Sequence, residues 1–141
     1  MKFPEIHDFE YVSEFEHWFA SIENEWTDVL IPSKEEGHFP AHNLQFLKYA
    51  EPVLPELIIF GSVYIQKLSA LNLGESSLNA IRYNEFNAIP YLEFQYIFDQ
   101  DPYYVWSVGF EKNPLQGFLI DVTLADLDYG FSAIILHREP V

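Results

Sequence analysis

The chain has 141 residues, of which 49% are hydrophobic and 18% aromatic. This composition excludes a disordered chain, and the length is sufficient to bury one hydrophobic core. Its 22 acidic residues against 7 Lys and Arg give a formal charge of -15, which argues against binding nucleic acid or an anionic membrane surface and favours a basic protein partner. It has no cysteine, so disulfides and cysteine metal sites are excluded. No signal peptide or transmembrane run is evident, and we expect a single cytoplasmic domain over residues 1–141.

The first predicted element is a helix over Ser13–Leu30. Ser13 and Glu16 match the S-x-x-E capping box that starts many helices. Apolar side chains then recur at helical spacing. They are Phe15, Trp18, Phe19, Ile22, Trp26, Val29 and Leu30. The other side of this helix is mostly acidic, and Pro32 ends it.

Two further helices are predicted after a loop over residues 32–40. The first starts near Ala41, with Leu44 and Leu47 on its buried side. Pro55 suits the first turn of the next helix, whose apolar stripe extends to a cap near Gly74. A strand over residues 57–65 remains an alternative, because that segment is rich in β-branched and aromatic residues.

From Tyr91 onward the apolar period changes from 3.6 to 2, which predicts strands. A turn over residues 99–103 would pair four apolar residues of one strand with four of the next: Phe98 with Tyr104, Tyr96 with Trp106, Phe94 with Val108, and Leu92 with Phe110. A second turn over residues 113–116 would pair Phe110 with Phe118, Val108 with Ile120, and Trp106 with Val122. A last strand runs over residues 131–136.

These elements predict an α+β fold in which N-terminal helices pack on one face of an antiparallel β-meander of about four to five strands. The helical part covers about residues 13–74 and the strand part about 77–138. Residues 77–90 have no clear period.

Two motifs contain metal-ligand residue types. His38 and His42 follow Glu35 and Glu36, but Pro40 prevents an ordinary helix from placing both imidazoles on one face, and no third ligand follows at a diagnostic spacing. The segment 126–130, Asp-Leu-Asp-Tyr-Gly, begins like a calcium loop but lacks the later ligands, so a hairpin turn is the better interpretation. We therefore expect no metal and no cofactor.

A catalytic site is the first alternative to a binding role. Glu93, Glu111 and Asp121 share the second face of the predicted sheet with His137, and neighbouring carboxylates can perform acid–base chemistry. That face also carries apolar residues, and the chain has no G-x-S-x-G elbow, P-loop or dinucleotide fingerprint. We expect a solvated or partner-binding face and no catalytic residues.

Candidate partner-binding residues are the acids of the first helix and the tip of the first hairpin. They are Glu16, Glu23, Glu25, Asp28, Asp99, Asp101 and Tyr103. Tyr and Trp are common interface anchors, although Tyr104 and Trp106 fit the core equally well and would leave Tyr103 as the exposed ring.

In its size, its acidity, its acidic segment Ser13–Leu30 and its aromatic meander Tyr91–Leu136, the sequence resembles bacterial immunity proteins, the antitoxin partners in contact-dependent inhibition and polymorphic toxin systems. That resemblance implies a cytosolic protein that blocks a cognate toxin domain, often a basic nuclease, without catalysis. It carries over no functional residue by position. A small hydrolase-like enzyme with a carboxylate site on the sheet face, and an acidic nucleic-acid mimic or adaptor, stay open as alternatives.

Overall fold

The computed structural model describes residues 2–22, 26–112 and 131–140, and of these the backbone alone for 131–137. Within those ranges the chain forms seven strands and two α-helices, with short 3-10 helices at Ile6–Asp8 and Glu51–Val53. The elements are β1 (Glu10–Val12), β2 (His17–Ser21), β3 (Asp28–Pro32), α1 (Ala41–Lys48), α2 (Leu54–Ser69), β4 (Ser76–Phe86), β5 (Ile89–Phe98), β6 (Asp101–Lys112) and β7 (Phe131–Pro140).

One sheet contains all seven strands in chain order, β1 to β7. Every neighbouring pair is antiparallel except β3 and β4, which are parallel and are joined by the crossover that contains α1 and α2. The predicted α+β class and antiparallel sheet are confirmed. The predicted count of four to five strands is too low, and the order of helices followed by strands is wrong, because three strands precede the helices.

The predicted helix over residues 13–30 is wrong, since this segment contributes β2 and β3. The supposed capping box is a tight turn, in which the Glu16 amide donates to the Ser13 carbonyl at 3.3 Å and Glu16 has a φ of 50°. The apolar residues alternate instead between two faces. Ala20 and Val29 are buried in the core, whereas Phe19 faces the other side.

The two later helices are present where the pattern places them. The first begins at Ala41 and buries Leu44 and Leu47, and residues 57–65 are helical rather than extended. The second helix ends at Ser69, earlier than predicted, and Ala70 rather than Gly74 adopts the left-handed cap conformation with a φ of 56°.

The aromatic face of the meander packs against α2. The Tyr96 hydroxyl donates to the Ile58 carbonyl at 2.7 Å. Gly61 lies directly over Tyr96 and Val108, so that a Cβ at this position would be 3.0 Å from the Val108 methyl. This close approach explains a glycine in the middle of a helix, where it otherwise costs about 1 kcal/mol relative to Ala.

The predicted register of the first hairpin is correct for three of its four pairs. Tyr96 lies opposite Trp106, Phe94 opposite Val108 and Leu92 opposite Phe110. Phe98 instead lies opposite Asp101, because the turn is shorter than predicted and the extra residues form an irregularity within β6.

The predicted second hairpin and the acidic turn at 126–130 lie outside the described residues, which omit 113–130. The described neighbour of β6 on its second edge is β7, with Val108 opposite Leu136 and Trp106 opposite Arg138.

Candidate functional site: an acidic sheet end and an open-face groove

The predicted acidic helix face does not exist, and the strands separate its members. Glu16 is in the β1–β2 turn, and Asp28 lies opposite Ser21 at the far end of β2. The two are therefore about 17 Å apart along the strand, at about 3.4 Å per residue. Glu23 and Glu25 lie outside the described residues, in the segment that connects β2 to β3.

The structure brings other predicted residues together at one end of the sheet, here called the turn end. It contains the β5–β6 turn at Asp99 and Gln100 and the start of β4. The approach to β3 lies at the same end, because the Thr27 hydroxyl donates to the Leu78 carbonyl of β4 at 3.0 Å. Asp99, Asp101 and Tyr103 lie at the turn end, and Asp28 lies towards the same end, in the row of Ala80 and Gln95; Glu16 is at the opposite end.

The two aspartates of the turn are engaged in the fold. Asp99 accepts a hydrogen bond of 3.0 Å from the Glu75 amide. Asp101 accepts hydrogen bonds from Trp106 at 2.8 Å and from Arg138 at 3.1 Å. The Arg138 hydrogen bonds, followed by that of Trp106, hold the pKa of Asp101 below its usual range. Asp101 is therefore an ion-pair partner within the fold, rather than the free interface carboxylate that the sequence suggested.

Two large aromatic side chains at the turn end are exposed. Trp26, which precedes Thr27, is 96% exposed, and Tyr103 is 79% exposed. The exposure of Tyr103 agrees with the interpretation that Tyr104 and Trp106 pack inward; Trp106 is only 6% exposed. Trp26 was missed, because the helical pattern placed it on a buried stripe. Its position between the polar segment Glu23–Glu25 and Thr27 was the signal for an exposed loop.

A groove of about 420 Å³ lies on the face of the sheet away from the helices, here called the open face. Its apolar walls include Val12, Phe15, Phe19 and Leu30, and Arg82 of β4 also lines it. Phe15 is 69% exposed at its edge. Nothing in the sequence pattern indicated this groove, because Phe15, Phe19 and Leu30 were assigned to a helix and residues 77–90 had no clear period.

The open face continues across β5 and β6 as a buried polar cluster. Glu93 is 5% exposed, and its two oxygens accept hydrogen bonds from Asn84 at 3.0 Å and from Gln95 at 2.6 Å. Glu111 is 6% exposed, and burial raises the pKa of its carboxyl group. The two carboxylates do share one face, as the sequence indicated, but amides already occupy both oxygens of Glu93.

The side chains of the other two members of the candidate catalytic group, Asp121 and His137, are not described. Asp121 lies outside the described residues, and for His137 only the backbone is described, opposite Ser107. Each oxygen of Glu93 already accepts a hydrogen bond from a neighbouring amide side chain. This arrangement gives the enzyme alternative no support from Glu93.

His38 and His42 flank the start of α1 and are both exposed. In the described part of the chain, no group of three or more His, Asp or Glu side chains is arranged to hold a metal ion.

Comparison of the chain with protein-family models, with curated proteins and with solved structures gives no match. Among the described residues, the helices are too short or too polar to cross a membrane.

Proposed function

We propose that this protein is an immunity-type inhibitor, which uses the turn end of its sheet to bind a cognate basic toxin domain in the cytoplasm and so block that domain's active site or substrate surface. The observation that carries the proposal is the exposure of Trp26 and Tyr103 in a chain with a net charge of -15. Exposing two large aromatic rings at one end of a small domain is costly in water, and burial against a partner would remove that cost.

Charge and aromatic contact have different roles in this proposal. The negative field steers a cationic domain towards the protein and raises the association rate, an effect that salt weakens. Lasting affinity comes from desolvated anchors, for which Trp and Tyr are the preferred residue types. Asp28 and Asp99 supply acidic groups towards the same end of the sheet as the two rings.

The test is co-expression with the product of the adjacent gene, followed by association kinetics at rising salt concentration. The charge-reversed pair Glu23→Lys and Glu25→Lys, in the segment between β2 and β3, is compared with Glu16→Lys in the β1–β2 turn. We expect a tight complex, with an association rate that falls with salt and falls further in the double variant but much less in Glu16→Lys. A salt-independent rate, with no effect of the double variant, would mean that the acidic surface serves solubility only.

A further inference from the structure

The open-face groove has the size and lining of a small-molecule site. Its volume of about 420 Å³ lies within the usual range of about 300–1,000 Å³ for such sites. Phe19, Leu30 and Arg82 occupy one row across the sheet, because Phe19 lies opposite Leu30 and Leu30 is aligned with Arg82. The floor of the groove therefore places a cation directly beside Leu30, with Phe19 on the far side of Leu30.

Arg82 has no partner for its charge in the described part of the chain. Its Nε atom is buried and makes no hydrogen bond. Glu93 lies opposite Arg82 in β5, but it accepts from Asn84 and Gln95 and forms no ion pair with the guanidinium. Because Nε is itself inaccessible, a ligand in the groove would meet the rest of the guanidinium, which lines the groove without an ion-pair partner among the described residues.

We propose that the groove binds a small apolar monocarboxylate, with its carboxylate on the Arg82 guanidinium and its hydrocarbon part against Phe19, Leu30 and Phe15. Guanidinium and carboxylate groups match in geometry and form charge-assisted hydrogen bonds. Asp28 also lines the groove, but it is aligned with Ala80, two residues or about 7 Å along the strand from Arg82. One cation near two carboxylates, Asp28 and the Glu93 opposite Arg82, favours a monoanion over a phosphate or a dicarboxylate.

The first test is a titration of the ¹⁵N-labelled protein with decanoate, decan-1-ol and decylamine, each below its aggregation concentration. We expect saturable 1:1 binding of decanoate, with amide shifts at Leu30, Ala80 and Arg82, and at least about tenfold weaker binding of the neutral alcohol and the amine. Equal affinity for the alcohol and the carboxylate would overturn the role of Arg82. Absence of saturable shifts at these positions would overturn the site.

The second test uses variants. Arg82→Gln should weaken decanoate binding by about tenfold or more, and Arg82→Lys should recover part of the loss because it keeps the charge but not the fork of donors. Lys34→Gln removes the same charge from the exposed loop before α1 and should leave binding unchanged. Equal weakening by Arg82→Gln and Lys34→Gln would contradict a specific contact. The ligand series on the unaltered protein decides the matter if Arg82→Gln fails to fold. Neither result bears on the partner surface.

Discussion

Arg138 holds Asp101 through two hydrogen bonds of 3.1 Å, from Nε to Oδ2 and from Nη2 to Oδ1. The guanidinium also lies over the Tyr104 ring, 3.3 Å from its centroid. Since Asp101 starts β6 and Arg138 lies near the end of β7, this ion pair links the two strands at the turn end. It also orients Trp106, whose indole donates to the same carboxylate.

Replacing Asp101 should therefore destabilise the protein in a pH-dependent way. The Arg138 hydrogen bonds lower the pKa of Asp101 in the folded state, so the stabilisation is present above the ordinary pKa of an aspartate and is lost as the pH falls through the lowered value. Asp101→Asn should melt at a lower temperature than the wild type at pH 7, and the difference should shrink towards pH 3. In an Arg138→Gln background the substitution should have less effect. A difference that is constant with pH would contradict the ion pair.

Replacing each of the two buried glutamates of the open face by Gln should change the free energy of unfolding in opposite directions. Burial raises the pKa of Glu111, so its charge opposes folding above the ordinary glutamate pKa, and Glu111→Gln should stabilise the protein at pH 7 and have much less effect near pH 4. Glu93→Gln would place an amide against the amides of Asn84 or Gln95 and should destabilise by about 1–3 kcal/mol. Denaturant melts at both pH values measure this, and effects of equal sign would refute the assignment.

Gly61 should tolerate no side chain while Tyr96 keeps its hydroxyl. The added methyl of Gly61→Ala would collide with the Tyr96 hydroxyl and approach Val108, so we expect a loss of about 1–3 kcal/mol despite the better helix propensity of Ala. Tyr96→Phe alone should cost about 1 kcal/mol through its hydrogen bond to Ile58, yet it should reduce the effect of Gly61→Ala in the double variant. Gly37→Ala, in open space, is the control and should be neutral. Strict additivity would refute the contact.

The tryptophans at positions 26 and 106 should differ sharply in their contribution to stability. Trp106 is 6% exposed in the core, and Trp106→Ala should cost about 3–5 kcal/mol. Trp26 is 96% exposed, and Trp26→Ala should change the free energy of unfolding by less than about 0.5 kcal/mol. A large loss for Trp26→Ala would mean that this ring packs within the fold and is unavailable to a partner.

The hairpin of β5 and β6 could be predicted because its information is local. A short turn joins two segments of alternating apolar residues, and only one register puts Tyr96 opposite Trp106 with both on the apolar face. The same holds for α1, which begins at Ala41 and buries Leu44 and Leu47, as their spacing of three residues indicated.

The strands that precede the helices could not be predicted in this way. The spacings of four residues from Phe15 to Phe19 and from Trp18 to Ile22 fit one face of a helix, but residues four apart also lie on one face of a strand. The segment forms two strands of five residues each instead of one helix. The choice between them depends on the pairing of Asp28, Val29 and Leu30 with β4, about fifty residues later, which no local pattern contains. The groove and the exposure of Trp26 depend on that pairing, so neither could be predicted from the sequence.

The most direct test of the proposed function is the dissociation rate of the complex with the co-expressed partner domain, measured for Trp26→Ala, Tyr103→Ala and Phe86→Ala. Phe86 is the matched control, because it is 53% exposed at the β4–β5 turn, at the opposite end of the sheet. We predict that Trp26→Ala and Tyr103→Ala each accelerate dissociation by about tenfold or more, as expected for buried aromatic anchors, and that Phe86→Ala leaves it unchanged. A complex that is weakened by Phe86→Ala and unaffected by the other two substitutions would contradict the assignment of the turn end as the binding surface.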